Sequence, residues 1–246
     1  MTTLVVGASG ATGRLLVKQL LDRGENVRAV VRSPDRFIET VGNHENLSVI
    51  RAGILELSDA QMAGHVDGCD ALASCLGHTL SLKGMFGAPR RLVTDAVRRL
   101  CDAVKAGKPE KPVRFVLMNT AGNGNRDLHE PVSFGERCIV GLFRRLLPPH
   151  ADNEDAADYL RTRIGRDDAA IQWCAVRPDS LIDEGEVTEY ALHASPIRSA
   201  IFNPGKTSRI NVAHFMAELA TGGDAWRAWQ GKMPVIYNTA SNVGER

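Results

Sequence analysis

Leu4-Val5-Val6-Gly7-Ala8-Ser9-Gly10-Ala11-Thr12-Gly13-Arg14-Leu15-Leu16 is the stretch whose reading decides the fold. A short run of β-formers enters a glycine-rich turn, and the turn opens into an amphipathic segment. Leu15, Leu16, Gln19, Leu20 and Arg23 then separate an apolar stripe from a polar face at helical spacing, until Gly24 stops the helix. Strand, tight turn and helix in that order make an anion site. Without Cβ atoms the backbone can come close to a pyrophosphate, and the N–H groups and positive dipole end of the new helix face it. The spacing Gly7, Gly10, Gly13 is GxxGxxG rather than GxGxxG. A chain with 23 glycines makes such triplets by chance, so the flanking strand and helix are what give this one meaning.

The rest of the composition narrows the class. At 246 residues the chain has the length of one large α/β domain or two small ones, and 43% hydrophobic with 24% charged residues is ordinary globular usage. A formal net charge of +1 supplies no field for holding nucleic acid or an anionic membrane surface. No apolar run approaches a membrane span, and the first residues lack a basic stretch followed by an apolar core and a small-residue cleavage site. Cysteines 69, 75, 101, 138 and 174 are scattered and form no CxxC, so neither zinc site nor disulfide framework is expected. These features predict a reduced, cytoplasmic protein.

Beyond Gly24, Asn26 to Arg32 reads as a second strand ended by Ser33-Pro34. In dinucleotide-binding units the tip of this strand meets the adenosine ribose; an acid there suits the 2′-hydroxyl of NAD and a base the 2′-phosphate of NADP. Here the tip carries Arg32, with Ser33 and Arg36 close behind, which favours NADP(H) over NAD(H). Leu47 to Gly53 is a third strand followed by Ile54, and Asp59 to Val66 a short helix. Asp70 to Gly77 is a fourth, its near-continuous apolar run fitting a strand buried on both faces, with Leu76, Gly77 and His78 at its carboxyl end. Residues 79–89 form a loop. A helix follows from about Arg90 to Ala106, burying Leu92, Val93, Ala96, Val97, Leu100 and Val104.

Val113 to Gly122 is a fifth strand with its terminal loop, and Asn119, Thr120 and Ala121 stand at the catalytic edge. Residues 123–152 read as an insertion with a helical piece from Phe134 to Leu147, whose apolar cluster suits packing over the site or into a partner. Asn153 to Ile164 is the next helix, capped by Asp152 or Asn153. Ile171 to Pro178 is a sixth strand, 179–208 is loop-rich, and a last helix capped by Asn211 runs through Ala220. Met233 to Tyr237 is a final edge strand. This alternation predicts a Rossmann-type, doubly wound parallel sheet in three α/β/α layers, one domain over 1–246, with 123–152 and 179–210 as insertions covering the substrate side.

The ordered stretches VVGASGATGRLL at 5–16, VRAVVRSPDR at 27–36, FVLMNTAG at 115–122 and IQWCAVRPDSL at 171–181 resemble the atypical short-chain dehydrogenase/reductase proteins. That NAD(P)H-binding group includes biliverdin-IXβ (flavin) reductase and nitrogen-metabolite-regulator-like sensors. The resemblance implies a cofactor lying across Gly7, Ser9, Gly10, Ala11, Thr12 and Gly13, with Arg32 at its adenosine end and Gly53 and Ile54 alongside. Residues 76–78, 119–121, Arg177 and Pro178 would surround the nicotinamide. Ile54 stands where many relatives carry an aspartate that contacts adenine.

One departure bears on chemistry. Ordinary short-chain dehydrogenases use YxxxK, in which a lysine one helical turn on lowers the tyrosine's pKa so that the phenol exchanges a proton. Tyrosines 159, 190 and 237 all lack a lysine four residues later; Tyr159 has Arg163 there but lies late on its helix, as a packing residue would. Thr120 and His78 are the remaining catalytic candidates. The expectation is an NADP-dependent reductase of a small flavin-, quinone- or carbonyl-like acceptor, as monomer or homodimer. A non-catalytic NADP(H) sensor with a protein partner is the alternative, ahead of a nucleotide-sugar epimerase or dehydratase.

Overall fold

The computed structural model of the chain describes residues 1–78, 87–128, 130, 135, 141 and 148–239. Most of the expected helix at 134–147, most of the loop at 79–89 and Cys138 lie outside the described residues. The glycine-rich stretch forms β1 (Thr2–Val6) and α1 (Ala11–Asp22) as its pattern requires. They are followed by β2 (Asn26–Val31), α2 (Pro34–Val41), β3 (Leu47–Arg51), α3 (Asp59–Val66), β4 (Ala71–Ser74) and α4 (Leu92–Gly107). Then come β5 (Val113–Met118), α5 (Pro148–Tyr159) running into a π-turn, and β6 (Ile171–Pro178). Short strands β7 (Ser180–Ile182), β8 (Tyr190–His193) and β9 (Lys206–Ser208) lead to α6 (Arg209–Thr221), α7 (Gly223–Trp229) and β10 (Val235–Asn238).

Eight strands make one sheet in the order β3-β2-β1-β4-β5-β6-β10-β8, parallel except for the antiparallel β10–β8 pair. The strand order runs outward in opposite directions from β1 and β4, so the carboxyl ends of those two strands open a crevice between them. Side-chain alternation sends Leu4, Leu72, Phe115, Leu117 and Trp173 into one layer against α3, α4 and α5. Val5, Ala29, Ala73, Val116 and Val176 face the other, against α1, α6 and Trp226 of α7. The doubly wound, three-layer reading holds.

Four local readings are corrected. A helix stands at 34–41 where none was expected; Pro34 at its first position and Asp35 in its first turn start it, and Phe37 is its buried anchor. The α5 helix begins at Pro148, five residues before the expected Asn153. Ser208, not Asn211, caps α6: its hydroxyl accepts from the Asn211 N–H, while the buried Asn211 amide binds Thr188 and Asn238. Finally, β10 is interior and β8 takes the edge, because Tyr190–His193, inside a stretch read as loop, pairs with β10.

Candidate functional site: the crevice at the carboxyl ends of β1 and β4

Gly7 leaves β1 with φ +71°, and a Cβ there would stand 2.5 Å from the Cys75 backbone at the end of β4. The turn is therefore packed directly on the neighbouring strand, and only glycine fits. A Cβ at Gly13 would collide with the Gly7 carbonyl, so the first turn of α1 folds back on the same loop. Gly10 is different: an added Cβ meets only the Gly7 oxygen, at 3.2 Å, and the Cys75 oxygen, at 4.0 Å, and otherwise faces open space. The Gly10 N–H is satisfied by Gly7 at 3.0 Å, whereas Ala11, Thr12 and Gly13, the first residues of α1, have no carbonyl one helical turn back. The cradle is thus shaped by two glycines and left open at the third.

A cleft of about 390 Å³ extends from this turn, walled by Gly7, Ser9 and Gly10 after β1, Arg32 after β2, Gly53 and Ile54 after β3, and Leu76 and Gly77 after β4. It therefore gathers loop residues that are far apart in sequence. Leu55, Glu56, Pro89 and Leu92 also line it; none was a candidate site residue in the sequence, where Leu92 read only as part of a buried helix stripe. The Glu56 carboxyl rests against Gly53, where a Cβ would come within 2.6 Å of it, so the acid that Ile54 does not supply is present two residues on. A larger groove of about 880 Å³ lies at the amino ends of β4 and β5, lined by residues such as Asp70, Lys108 and Arg114, on the edge away from the glycine turn.

Next to the cleft, a second hollow of about 470 Å³ is lined by Ser9, Arg14, Arg32, Ser33, Arg36, Phe37, Glu39 and Thr40. Helix α2 brings Arg36 round to Arg32, and α1 contributes Arg14, which the sequence reading missed because it looked only along β2. Arg14, Arg32 and Arg36 are exposed and have no salt-bridge partner among the described residues. Three uncompensated guanidinium groups around one hollow suit an anion with several oxygens.

The far end of the crevice is built from β4, β5 and α5. His78 is buried rather than lying on a polar surface, its side chain 6% exposed, with Nε2 2.8 Å from Asp152 Oδ2. Asp152 also accepts from the Val93 and Thr94 N–H groups at 2.8 and 2.9 Å, so it caps α4 from outside that helix rather than starting its own. His78 is therefore a brace between β4 and α5, and its Nε2 is committed to that task. Asn119 is similarly structural: Nδ2 donates to the Asn153 carbonyl, and Oδ1 accepts from Thr120 N–H and Asn123 Nδ2. The Thr120 hydroxyl accepts one weak bond, from the Gly122 N–H at 3.3 Å. Ala121 N–H donates to the Pro178 carbonyl, so 119–121 and 178 do meet.

Arg177 is corrected. It is fully buried, and all five of its N–H donors are used, on the carbonyls of Met233, Asn123 and Ala194 and on both oxygens of Glu130. No donor is left for a cofactor; Arg177 holds the loop after β5 against β6. Tyr159 packs on the α4 core, and burial pushes its hydroxyl up to about 12, the wrong direction for a proton donor. Tyr190, likewise raised to about 12 by burial, faces His214 on α6. Neither replaces the missing tyrosine–lysine pair.

No helix among the described residues is long and apolar enough to cross a membrane, and no cluster there could hold a metal ion. A family model described as NAD(P)H-binding matches residues 7–222. Cinnamoyl-CoA reductase 1 of Arabidopsis thaliana is 30% identical over 135 residues, 51% of this chain and 37% of that protein. The 3β-hydroxysteroid dehydrogenase/Δ5→4-isomerase of Mycobacterium tuberculosis is 28% identical over 205 residues, 76% of this chain and 49% of that protein. The chain thus spans half or less of the curated relatives it matches. Among solved structures, a Veillonella parvula short-chain dehydrogenase/reductase in complex with NADP superposes with TM-score 0.68 at 14% identity, covering 97% of this chain and 95% of that one. A Streptococcus pneumoniae protein provisionally assigned as an NADH-flavin reductase gives 0.63 at 21% identity, covering 97% and 100%. The glycine cradle, the crevice at the strand reversal and the match over most of its length agree: the chain belongs to the NAD(P)H-binding family.

Proposed function

We propose that the protein is an NADP(H)-dependent oxidoreductase that reduces a small flavin-, quinone- or carbonyl-like acceptor. The observation that carries the cofactor choice is the hollow shared by Arg14, Arg32 and Arg36. A 2′-phosphate there would meet three guanidinium groups, against one carboxylate, Glu39, on the rim. Gly10 and the N–H groups of Ala11, Thr12 and Gly13 would hold the pyrophosphate, with Ile54, Leu55 and Leu92 against apolar parts of the cofactor and Gly53 and Glu56 beside them. The nicotinamide supplies a hydride when bound. Leu76 and Gly77 would line its approach, and Thr120 offers a hydroxyl at the same edge of the sheet. Its complex with NADP makes the Veillonella structure a supporting parallel.

Calorimetry with NADPH and NADH, followed by NADPH oxidation against flavins, quinones and small carbonyl compounds, tests the reading. Preferential NADPH binding with turnover of at least one acceptor is the expected result. Raised tyrosine hydroxyls and the missing YxxxK pair favour a second reading, a regulator that binds NADP(H) without turning it over. Tight NADPH binding with every acceptor inert would establish that one instead.

A further inference from the structure

We propose that His150 is the proton donor to the acceptor, in the place that tyrosine holds in the YxxxK pair; this rests on the reductase reading above. The early start of α5 puts His150 in the helix's first turn, beside the loop that leaves β5. A Cβ added at Gly122 would stand 3.8 Å from Thr120 Oγ1 and 3.9 Å from His150 Cε1, so the hydroxyl and the imidazole both stand beside the same glycine at the exit of β5. The turn that carries His150 is fixed on both sides. Asp152 binds the start of α4, and the Asn153 carbonyl accepts from Asn119 at 2.9 Å.

Charge follows the same pattern. A phenol that must give up its proton easily needs a cation one turn away, whereas an imidazole that must carry one needs an anion. Glu154 stands four residues after His150, on the same helical face, where YxxxK would have lysine. It is held there by Arg126, whose Nη2 is 2.5 Å from Oε1. His150 and Glu154 together invert the tyrosine–lysine charges while keeping their spacing. In the reaction, the acceptor carbonyl gains a hydride at carbon from the reduced nicotinamide. Its π electron pair moves onto oxygen, and that oxygen takes a proton from a ring N–H of the His150 imidazolium. Alcohol and oxidised nicotinamide are the products; a quinone's adduct then tautomerises through solvent, losing the new C–H proton as its second oxygen gains one, to give the quinol, and neutral His150 recovers a proton from solvent.

The experiment compares wild type, His150→Asn and Tyr159→Phe as full-length protein, with menadione as the quinone probe. For His150→Asn, kcat falls about 100-fold, as expected for a lost general acid, with NADPH affinity and the thermal melt unchanged. Tyr159→Phe keeps the wild-type rate. A second readout needs no turnover: in cofactor-free protein labelled with 13C at histidine Cε1, α-naphthol, a non-reducible quinol analogue, shifts the resonance that His150→Asn removes. Should the Asn variant lose its cooperative melt, His150→Gln takes its place with the same expectation. Wild-type turnover in a folded His150 variant, an unmoved His150 resonance as α-naphthol binds, or no α-naphthol binding overturns this assignment alone. Wild-type protein that binds NADPH but reduces no acceptor overturns the reductase reading, and the assignment with it.

Discussion

Gly10 and Gly13 separate binding from folding at the scale of single residues. A side chain at Gly13 collides with the Gly7 carbonyl, so Gly13→Val breaks the β1–α1 turn and lowers the melting temperature as well as cofactor affinity. At Gly10 the added methyl of alanine meets one backbone oxygen at 3.2 Å, which a small shift relieves. Gly10→Ala therefore keeps the wild-type melt within a few degrees while losing cofactor affinity by calorimetry. Equal loss of melt in both variants would show that the open side of Gly10 is not a binding surface. The motif spacing made both positions look equivalent; which wall each glycine touches is set by β4, far along the chain. Arg14 escaped notice for a similar reason: its role depends on where α1 lies against α2.

The decisive contacts between elements are buried polar ones. Asp152, with its side chain 1% exposed, satisfies the N-terminus of α4 and holds His78. Asp152→Ala leaves those donors buried and unpaired, a cost of about 1–3 kcal/mol for a lost cap or partner. Urea unfolding should show the shift in midpoint at constant slope; an unchanged midpoint would mean that water replaces the carboxylate. Arg177→Leu is harsher, since it strands the Glu130 carboxylate, and removing one partner of a buried pair costs about 3–5 kcal/mol. Such roles were hidden in the sequence. Strands β1 to β6 were legible because each is a short run rich in β-formers bounded by turn residues, and α1 and α4 because their stripes are long. Asp152 looked like an N-terminal cap because its neighbours, Glu154 and Asp155, suit a first turn. The partner it caps, α4, is more than fifty residues away in the chain. Strands β7 and β9, three residues each, are too short to show any alternation.

For the whole molecule, a buried histidine in one layer makes stability depend on pH. His214 on α6 lies beneath β8, accepting from or donating to Tyr190 at 2.9 Å, and burial together with Arg23 lowers its pKa from the usual 6.5. The unfolded chain therefore binds a proton on this group at a higher pH than the folded chain does. Its contribution to stability is complete above 6.5 and is lost as the pH falls below that value. Unfolding midpoints measured between neutral and mildly acidic pH should fall less in His214→Gln than in wild type. Parallel pH curves would show that His214 titrates alike in both states. The fold class and the family followed from four ordered stretches of sequence, which carry β1, β2, β5 and β6 of the one sheet and the turns that leave them. The chemistry did not follow, because its candidate groups come together only when α5 docks on the exit of β5.

The central claim, a dinucleotide in the β1–β4 crevice with its 2′-phosphate among Arg14, Arg32 and Arg36, has one direct measurement. Calorimetry of wild type and Arg32→Ala, each titrated with NADPH and with NADH, isolates the phosphate from the rest of the cofactor. A charge-assisted hydrogen bond contributes about 1.5–3 kcal/mol, so Arg32→Ala weakens NADPH at least tenfold and leaves NADH almost unchanged. Equal losses for the two cofactors would make Arg32 a structural residue and remove the NADP preference. Wild-type protein indifferent to NADPH and NADH alike would contradict the account at its root.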